Sequence, residues 1–417
     1  MAALPTVDAD AVNLSDQELW LRPTEEREAA FAALRRDRPV AFFEEPEIPG
    51  FPRGPGYWAV TRYADVWTAS RRPEIFTSGR GVNIGDMPQE IIEFFGSMIA
   101  TDAPRHSKLR GIVQRGFTPR TVNQVADYVR TKATAIVDEV ARKGECDFVR
   151  EIAAALPLQV ICDMMGIAPA HYDRIFELTN IILGVGDPEF GDSMEDLLSA
   201  AVELNQFAVD LGESRLADPT EDITSALMHA EVDGDRITTQ EFGSFFILLV
   251  VAGNETTRNA ISHGMKALTD HPEQKAALAA DFPGLAPAAV EEIVRWATPV
   301  IHFRRTASRD TELGGQKIAE GDKVVLWYNS ANRDEARFED PFRFDVCRQP
   351  NEQAGFGAGG PHFCLGANLA RREITVMFDE VLRRLPDIEV TGPPDMLQSA
   401  FIHGIKRMPC AFTPVEA

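Results

Sequence analysis

The stretch Phe242–Thr269 constrains the fold more than any other part of the chain. It is preceded by Thr238-Thr-Gln-Glu241, the pattern of a capping box, and it stops at Asp270-His-Pro272. The spacing predicts one helix, about 40–45 Å long at 1.5 Å per residue. Within it, Phe245-Phe-Ile-Leu-Leu-Val-Val-Ala252 is apolar on every side. A helix apolar all round must be buried all round. At under ten residues that apolar run is far too short to cross a bilayer, which needs ~20. The helix therefore runs through the interior.

The rest of the sequence suits such an interior. Residues 120–290 read mostly as helices, with apolar residues three and four apart over Asn123–Lys143 and Met194–Asp218. Tyr57–Arg62 is strand-like and Asp65–Ser70 helical. Further strands are expected at Lys323–Trp327, Ile388–Val390 and Cys410–Phe412. With no repeat and no linker, the expectation is a mainly α fold with a small β portion. It is a single domain over 1–417, in which 1–55 forms an irregular N-terminal segment. The formal net charge of −22 excludes an electrostatic grip on nucleic acid or on an anionic membrane surface. Five cysteines form no CxxC pair, and the N-terminus has neither a basic start nor a long apolar stretch. A reduced, cytoplasmic protein without a membrane span is expected.

Phe356-Gly-Ala-Gly-Gly-Pro-His-Phe-Cys-Leu-Gly366 is a glycine-rich loop carrying one cysteine, and helical residues follow from Ala367. Glycine permits close backbone approach, and amides at a helix start favour a thiolate, so the placement suits a metal ligand. This loop resembles that of the cytochrome P-450 family, and the resemblance extends over nearly the whole chain. Phe356, Gly360, His362, Cys364 and Gly366 fill the positions of its haem-binding loop, which is one residue longer here than the common pattern. The resemblance implies haem b between the long central helix and the Cys loop. Cys364 would be the axial ligand of its iron.

Other motifs gain meaning from that likeness. Glu292-Ile-Val-Arg295 with Arg348 resembles the family's bracing Glu-Arg-Arg network, a structural role. His106 and Arg110, four apart on one helix face, together with Arg305 and His362, would hold the haem carboxylates; Arg304 replaces Arg305 if the register slips by one. In Ala252-Gly-Asn-Glu-Thr-Thr257, an acid and hydroxyls interrupt an apolar helix, and a buried acid usually marks a site. The resemblance makes Glu255 and Thr256 a catalytic acid–alcohol pair for proton delivery. Gly253 leaves room for dioxygen where the helix widens locally.

Phe94, Met98, Leu249, Ala252, Val300 and Phe401 are expected to line an apolar substrate pocket, joined by Ile181–Val185. Segments such as Pro157–Ile167, Glu291–Val300 and Phe401–Lys406 look like an actinobacterial branch that hydroxylates methyl-branched lipids, isoprenoids and sterol side chains at the terminal carbon. The implied activity is a monooxygenase using O2. Its electrons come from NAD(P)H through a ferredoxin reductase and a ferredoxin, since this chain has no dinucleotide fingerprint. Lys108, Arg115, Arg371 and Arg372 are the expected docking cations. A peroxygenase and a haem-binding sensor are the rival readings. Neither requires Glu255 and Thr256.

Overall fold

The computed structural model describes residues 4–47, 53–116, 119–184, 186–190, 193–232 and 234–415, with the side chains of 115–116, 119–126, 232 and 235 outside the description. The principal helices are α1 (Thr24–Asp37), α2 (Tyr63–Ser70), α3 (Gln89–Gly96), α4 (Arg105–Gly116), α5 (Pro119–Val140), α6 (Ala155–Met164), α7 (Tyr172–Leu183), α8 (Met194–Ala217), α9 (Thr239–Asp270), α10 (Phe282–Ala297) and α11 (Ala367–Arg384). The strands used below are β1 (Val40–Phe43), β2 (Tyr57–Val60), β3 (Phe76–Thr77), β4 (His302–Ala307), β5 (Lys323–Trp327), β6 (Asp395–Met396) and β7 (Ile405–Arg407).

The central helix α9 forms as its sequence demands. Glu241 donates its amide to Thr238 Oγ1 at 3.1 Å, and Glu241 Oε2 accepts from the Thr238 amide at 3.0 Å. His271 ends the helix and Pro272 opens the next, Pro272–Ala280, at its first position. The N-terminal half of α9, with Phe242, Phe245, Phe246 and Val250, packs into one core cluster. Its C-terminal half, with Ala260, Ile261, Met265 and Leu268, packs into another alongside α10 and α11. A helix passing through two cores has no polar face to spare, which explains the unbroken apolar run.

The described residues of the 1–55 segment are not irregular throughout. They contain α1 and β1, because Ala29, Ala30, Phe31, Ala33 and Leu34 form one buried stripe and Phe31 packs 5.3 Å from Trp327. The reading from composition missed a helix whose apolar face finds its partner about 300 residues later. A five-stranded sheet in the order β1-β2-β5-β4-β3 joins these ends of the chain, with β5 parallel to β2 and antiparallel to β4. Among the described residues no helix is long and apolar enough to cross a membrane.

Candidate active site

Cys364 stands at the end of a loop shaped by glycine. Gly357, Gly359 and Gly360 all have φ between 75° and 85°, and a Cβ on Gly360 would lie 2.2 Å from the Ser70 carbonyl. The loop folds back so that the Cys364 amide donates to the Phe356 carbonyl at 2.9 Å. Phe356 is buried beneath it with the Arg371 guanidinium 4.5 Å above its ring. A Cβ on Gly366 would meet nothing within 4 Å, so this side of the loop borders open space.

That space is an interior cleft. Cys364 is exposed, yet desolvation by the surrounding protein raises its thiol, against a downward pull from the Gly366 and Ala367 amides, Arg110 and Arg371. Both statements hold for a sulfur that faces a hollow inside the molecule. The balance differs from the sequence expectation: the helix-start amides act in the expected direction, but burial outweighs them. Across from the loop, Ala252 is exposed in the middle of α9 between buried Val250 and Asn254. Leu365, next to Cys364, belongs to the same apolar cluster as Leu249 and Val251, so α9 and the Cys loop are the two walls.

One edge of the cleft is cationic. The His106 and His362 rings meet in a tilted contact with centroids 4.3 Å apart, and Arg110 donates to the Phe363 carbonyl at 2.8 Å. His362 is pushed down to about 3, first by burial and then by Arg305, His106 and Arg110. Buried Arg305 donates to the Arg304 carbonyl at 2.8 Å and has no carboxylate partner among the described residues. Arg304, by contrast, is held by Asp86 at 2.8 Å. The register of β4 on β5, Arg305 opposite Val324 and Arg304 opposite Val325, thus decides between the two arginines. Two arginines, beside two histidines whose charged forms burial and these neighbours disfavour, border the hollow and fit a dianionic ligand, and the thiol fits a soft metal centre. This donor set suits haem. Ser78, whose hydroxyl lies 3.2 Å from His362 Nε2, also belongs to this edge and carried no local sequence signal.

The polar segment of α9 departs from expectation in two respects. The helix stays α-helical throughout Thr239–Asp270, without local widening, and a Cβ on Gly253 would sit 3.8 Å from Ile161. One residue is 100° of helix rotation, so Gly253 faces α6 while Ala252 faces the cleft. Thr256 donates to the Ala252 carbonyl at 2.6 Å, which sets its hydroxyl on the cleft side. Glu255 is buried; its Oε1 accepts from Arg258 and, at 3.1 Å, from Asn259 Nδ2, while Oε2 has no partner among the described residues. Arg258 extends to Asn180 of α7 at 2.8 Å. Arg258 and Asn259 were overlooked in the sequence, although i+3 and i+4 spacing from Glu255 was the signal.

The expected pocket residues fall into two groups. Phe94 on α3, Met98 and Leu249 share one cluster; Met98 is buried in its core, and Ser244 of α9 ties this segment down by donating to the Glu93 carbonyl at 2.9 Å. Val300 and Phe401 meet elsewhere. Val300 bridges Ile402, Ile301 donates its amide to the Phe401 carbonyl at 2.8 Å, and the Phe401 ring lies 5.7 Å from Phe303. Ile181 joins the first cluster; Val185 lies outside the described residues.

Glu292 and Arg295 are fully buried on α10. Arg295 donates to both Glu292 oxygens at 2.7 and 2.8 Å, and Arg348 Nε reaches them at 3.2 and 3.1 Å. The Asp345 amide and Asn351 add bonds at 2.9 and 3.0 Å. Burial raises the carboxyl and its cations more than offset that, so it is held below its ordinary value.

The chain is 50% identical over 412 residues to the methyl-branched lipid omega-hydroxylase of Mycobacterium tuberculosis (strain H37Rv), covering 98% of this chain and 96% of that protein. The chain belongs to the cytochrome P450 family. The family profile, Cytochrome P450, matches residues 284–404, the span from α10 through the Cys loop and α11 to the turn before β7. The steroid C26-monooxygenase of Rhodococcus jostii is 44% identical over 382 residues, 90% of this chain and 80% of that protein. A Mycobacterium marinum cytochrome P450 solved in complex with pseudoionone superposes with a TM-score of 0.92 at 44% identity, covering 99% of this chain and 100% of that one. As a cytochrome P450 the chain is a monooxygenase that works with haem iron, redox partners and a hydrophobic substrate.

Proposed function

We propose that this cytochrome P450 hydroxylates the terminal carbon of methyl-branched lipids, isoprenoids or sterol side chains. The observation that carries this is the likeness, over nearly the full length of both chains, to an omega-hydroxylase of methyl-branched lipids. The overall reaction is RH + O2 + 2e⁻ + 2H⁺ giving ROH and H2O. In this reading NAD(P)H supplies the electrons through a ferredoxin reductase and a ferredoxin, in the cytoplasm.

Cys364 would hold the haem iron as thiolate, with Gly360 and Gly366 giving the loop its clearance and Phe356 supporting it from below. A coordinating cation reverses the balance that otherwise keeps this thiol protonated. His106, Arg110, Arg305 and His362 would pair with the haem carboxylates. When bound, the thiolate-ligated haem activates dioxygen. The remaining work falls to this chain's own side chains. The unpartnered Oε2 of Glu255 is a position from which a proton can be given and taken, while Arg258 and Asn259 hold its other oxygen. Thr256 keeps a hydroxyl at the cleft face of α9. Phe94, Leu249, Ala252, Val300 and Phe401 exclude water and confine an apolar chain, so that its end, whose primary C–H bonds are the least reactive, is the part presented.

For the ferredoxin, support comes from a groove of about 510 Å³ between α5, α10 and α11, lined by Phe282, Ala286 and Val290 with Arg372 exposed beside it. Arg371 is already paired with Glu291, and the side chain of Arg115 lies outside the described residues. Arg372, exposed at the groove, and Lys108, exposed on α4, are the cations that carry this reading. Two measurements test the proposal. Cys364→Ala should abolish the red-shifted Soret band of the reduced carbonyl complex. The wild-type enzyme with a surrogate redox pair should give mainly primary alcohols from a branched fatty acid, an isoprenoid alcohol or cholesterol. Mainly internal alcohols, or no turnover of all three, would overturn the lipid-terminus reading.

A further inference from the structure

Outside the cleft and the Glu292 brace, a second cluster of charges surrounds one buried carboxylate. Asp187, in the segment that follows α7, is 0% exposed. Such a group is costly unless every lone pair is satisfied. Here the partners come from a hairpin far along the chain. Asp187 Oδ2 accepts the Gln398 amide at 3.0 Å, just after β6, and Lys406 Nζ on β7 approaches its two oxygens at 3.2 and 3.1 Å. Lys406, itself largely buried, also faces Glu189 at 3.1 Å and Asp395 at 3.6 Å, and Arg407 binds the same two acids. One side chain thus ties both arms of the β6–β7 hairpin to the segment after α7.

The turn at the tip of this hairpin carries Phe401. The turn is closed by the Leu397 amide donating to the Gly404 carbonyl at 2.9 Å, and Ser399 Oγ accepts the amides of Phe401 and Ile402 at 3.1 and 3.0 Å. From the opposite side, Phe401 is held through Ile301 and by the His403 amide donating to Pro299. The base of the hairpin is pinned to α9, where Asn259 Oδ1 accepts the Ile405 amide at 3.2 Å. The tip is thus held by hydrogen bonds on both sides. The charged ones run through Asp187 and Lys406.

We propose that Asp187 and Lys406 are positioning residues for regiochemistry: their ion pair clamps the hairpin so that Phe401 keeps its place in the pocket wall and only the chain end reaches the oxidation site. This rests on the reading of Phe401 and of terminal hydroxylation given above. Neither residue touches substrate. They act through the backbone that carries Phe401.

The test uses the full-length, haem-loaded enzyme and an iso-branched fatty acid. In Lys406→Met and in Asp187→Asn, the ratio of terminal to internal alcohol should fall about tenfold, since displacement on the order of 1 Å costs up to ~10²-fold in a positioned reaction. Deuterium exchange at the amides of 398–404 should rise in both variants. Lys406→Arg, which keeps the charge, should restore both readouts toward wild type. An unchanged ratio in a variant whose turn exchanges faster overturns the positioning role, and unchanged exchange overturns the clamp. Should neither variant take up haem, the wild type decides, because its Gln398 and Ile402 amides must be protected and rapid exchange there overturns the proposal. If the wild type makes mainly internal alcohols, the terminal reading fails, while the exchange measurement still reports on the clamp.

Discussion

Two Glu-x-x-Arg pairs in this protein have the same spacing on a helix and the same near-total burial, and they are built for opposite ends. Glu292–Arg295 on α10 is saturated: both carboxylate oxygens accept from Arg295 and Arg348, and the amide of Asp345 and Asn351 fill the remaining positions. The guanidinium of Arg295 also donates to the carbonyls of Asn332 and Pro341, each at 2.8 Å. Glu255–Arg258 on α9 is half finished. Among the described residues, Glu255 Oε2 and Arg258 Nε have no partner, and both polar atoms of neighbouring Asn254 lack one as well. A buried pair with every bond made is a brace, because moving it breaks many bonds at once. A buried pair with an open oxygen stores free energy that only a proton or a water can release, which is what a relay requires.

The comparison breaks most visibly at the brace. Glu292→Gln should destabilise the fold by about 3–5 kcal/mol, because Arg295 and Arg348 are left buried without a counter-charge. Chemical denaturation measures this directly, and a loss below that of Glu255→Gln would show that saturation does not distinguish the pairs. Glu255→Gln should retain the fold and the reduced carbonyl spectrum while turnover falls by about 10²-fold, the contribution of one placed acid. Next in size, Thr256→Ala should lower product formation by about tenfold, on the order of one hydrogen bond. NADH oxidation should continue meanwhile, with more of its electrons recovered as hydrogen peroxide. Unchanged coupling would remove Thr256 from the site.

The smallest effect sharpens the contrast with a third buried acid. Glu373 on α11 has no cationic partner among the described residues; burial raises its carboxyl to about 8, against a hydrogen bond from Thr257. The unfolded chain releases this proton near 4.5 and the folded one near 8. Between those values the native state holds the extra proton, so this group's contribution makes stability fall as pH rises through that window. Glu373→Gln should flatten that slope, measured as the denaturation midpoint at pH 5 and pH 8. An unaltered slope would show that Glu373 ionises normally.

Much of the architecture was legible because it depends on local spacing. The capping box, the apolar run and His271-Pro272 delimit α9, and Lys323–Trp327 is β5 residue for residue. The Cys loop was legible for a similar reason, since glycines at positive φ and the cysteine they carry are adjacent in sequence. What failed depended on distance or rotation. The helix α1 was missed because Trp327 is its partner. Gly253 was assigned to the cleft although it lies 100° of helix rotation from Ala252.

By itself, then, the sequence determined which groups are present and which are near neighbours along one helix or loop: Cys364 with its glycines, Glu255 beside Thr256, Glu292 three before Arg295. It also determined that a helix without a polar face would lie at the centre. Only the tertiary structure decided which charges are satisfied. Arg304 is spent on Asp86 while Arg305 is left facing the cleft, and Glu292 is completed by Arg348 while Glu255 keeps one oxygen open. The physical reason is that composition and spacing determine a group's identity, whereas its free energy depends on burial and partners. Those partners arrive from strands and loops tens to hundreds of residues away.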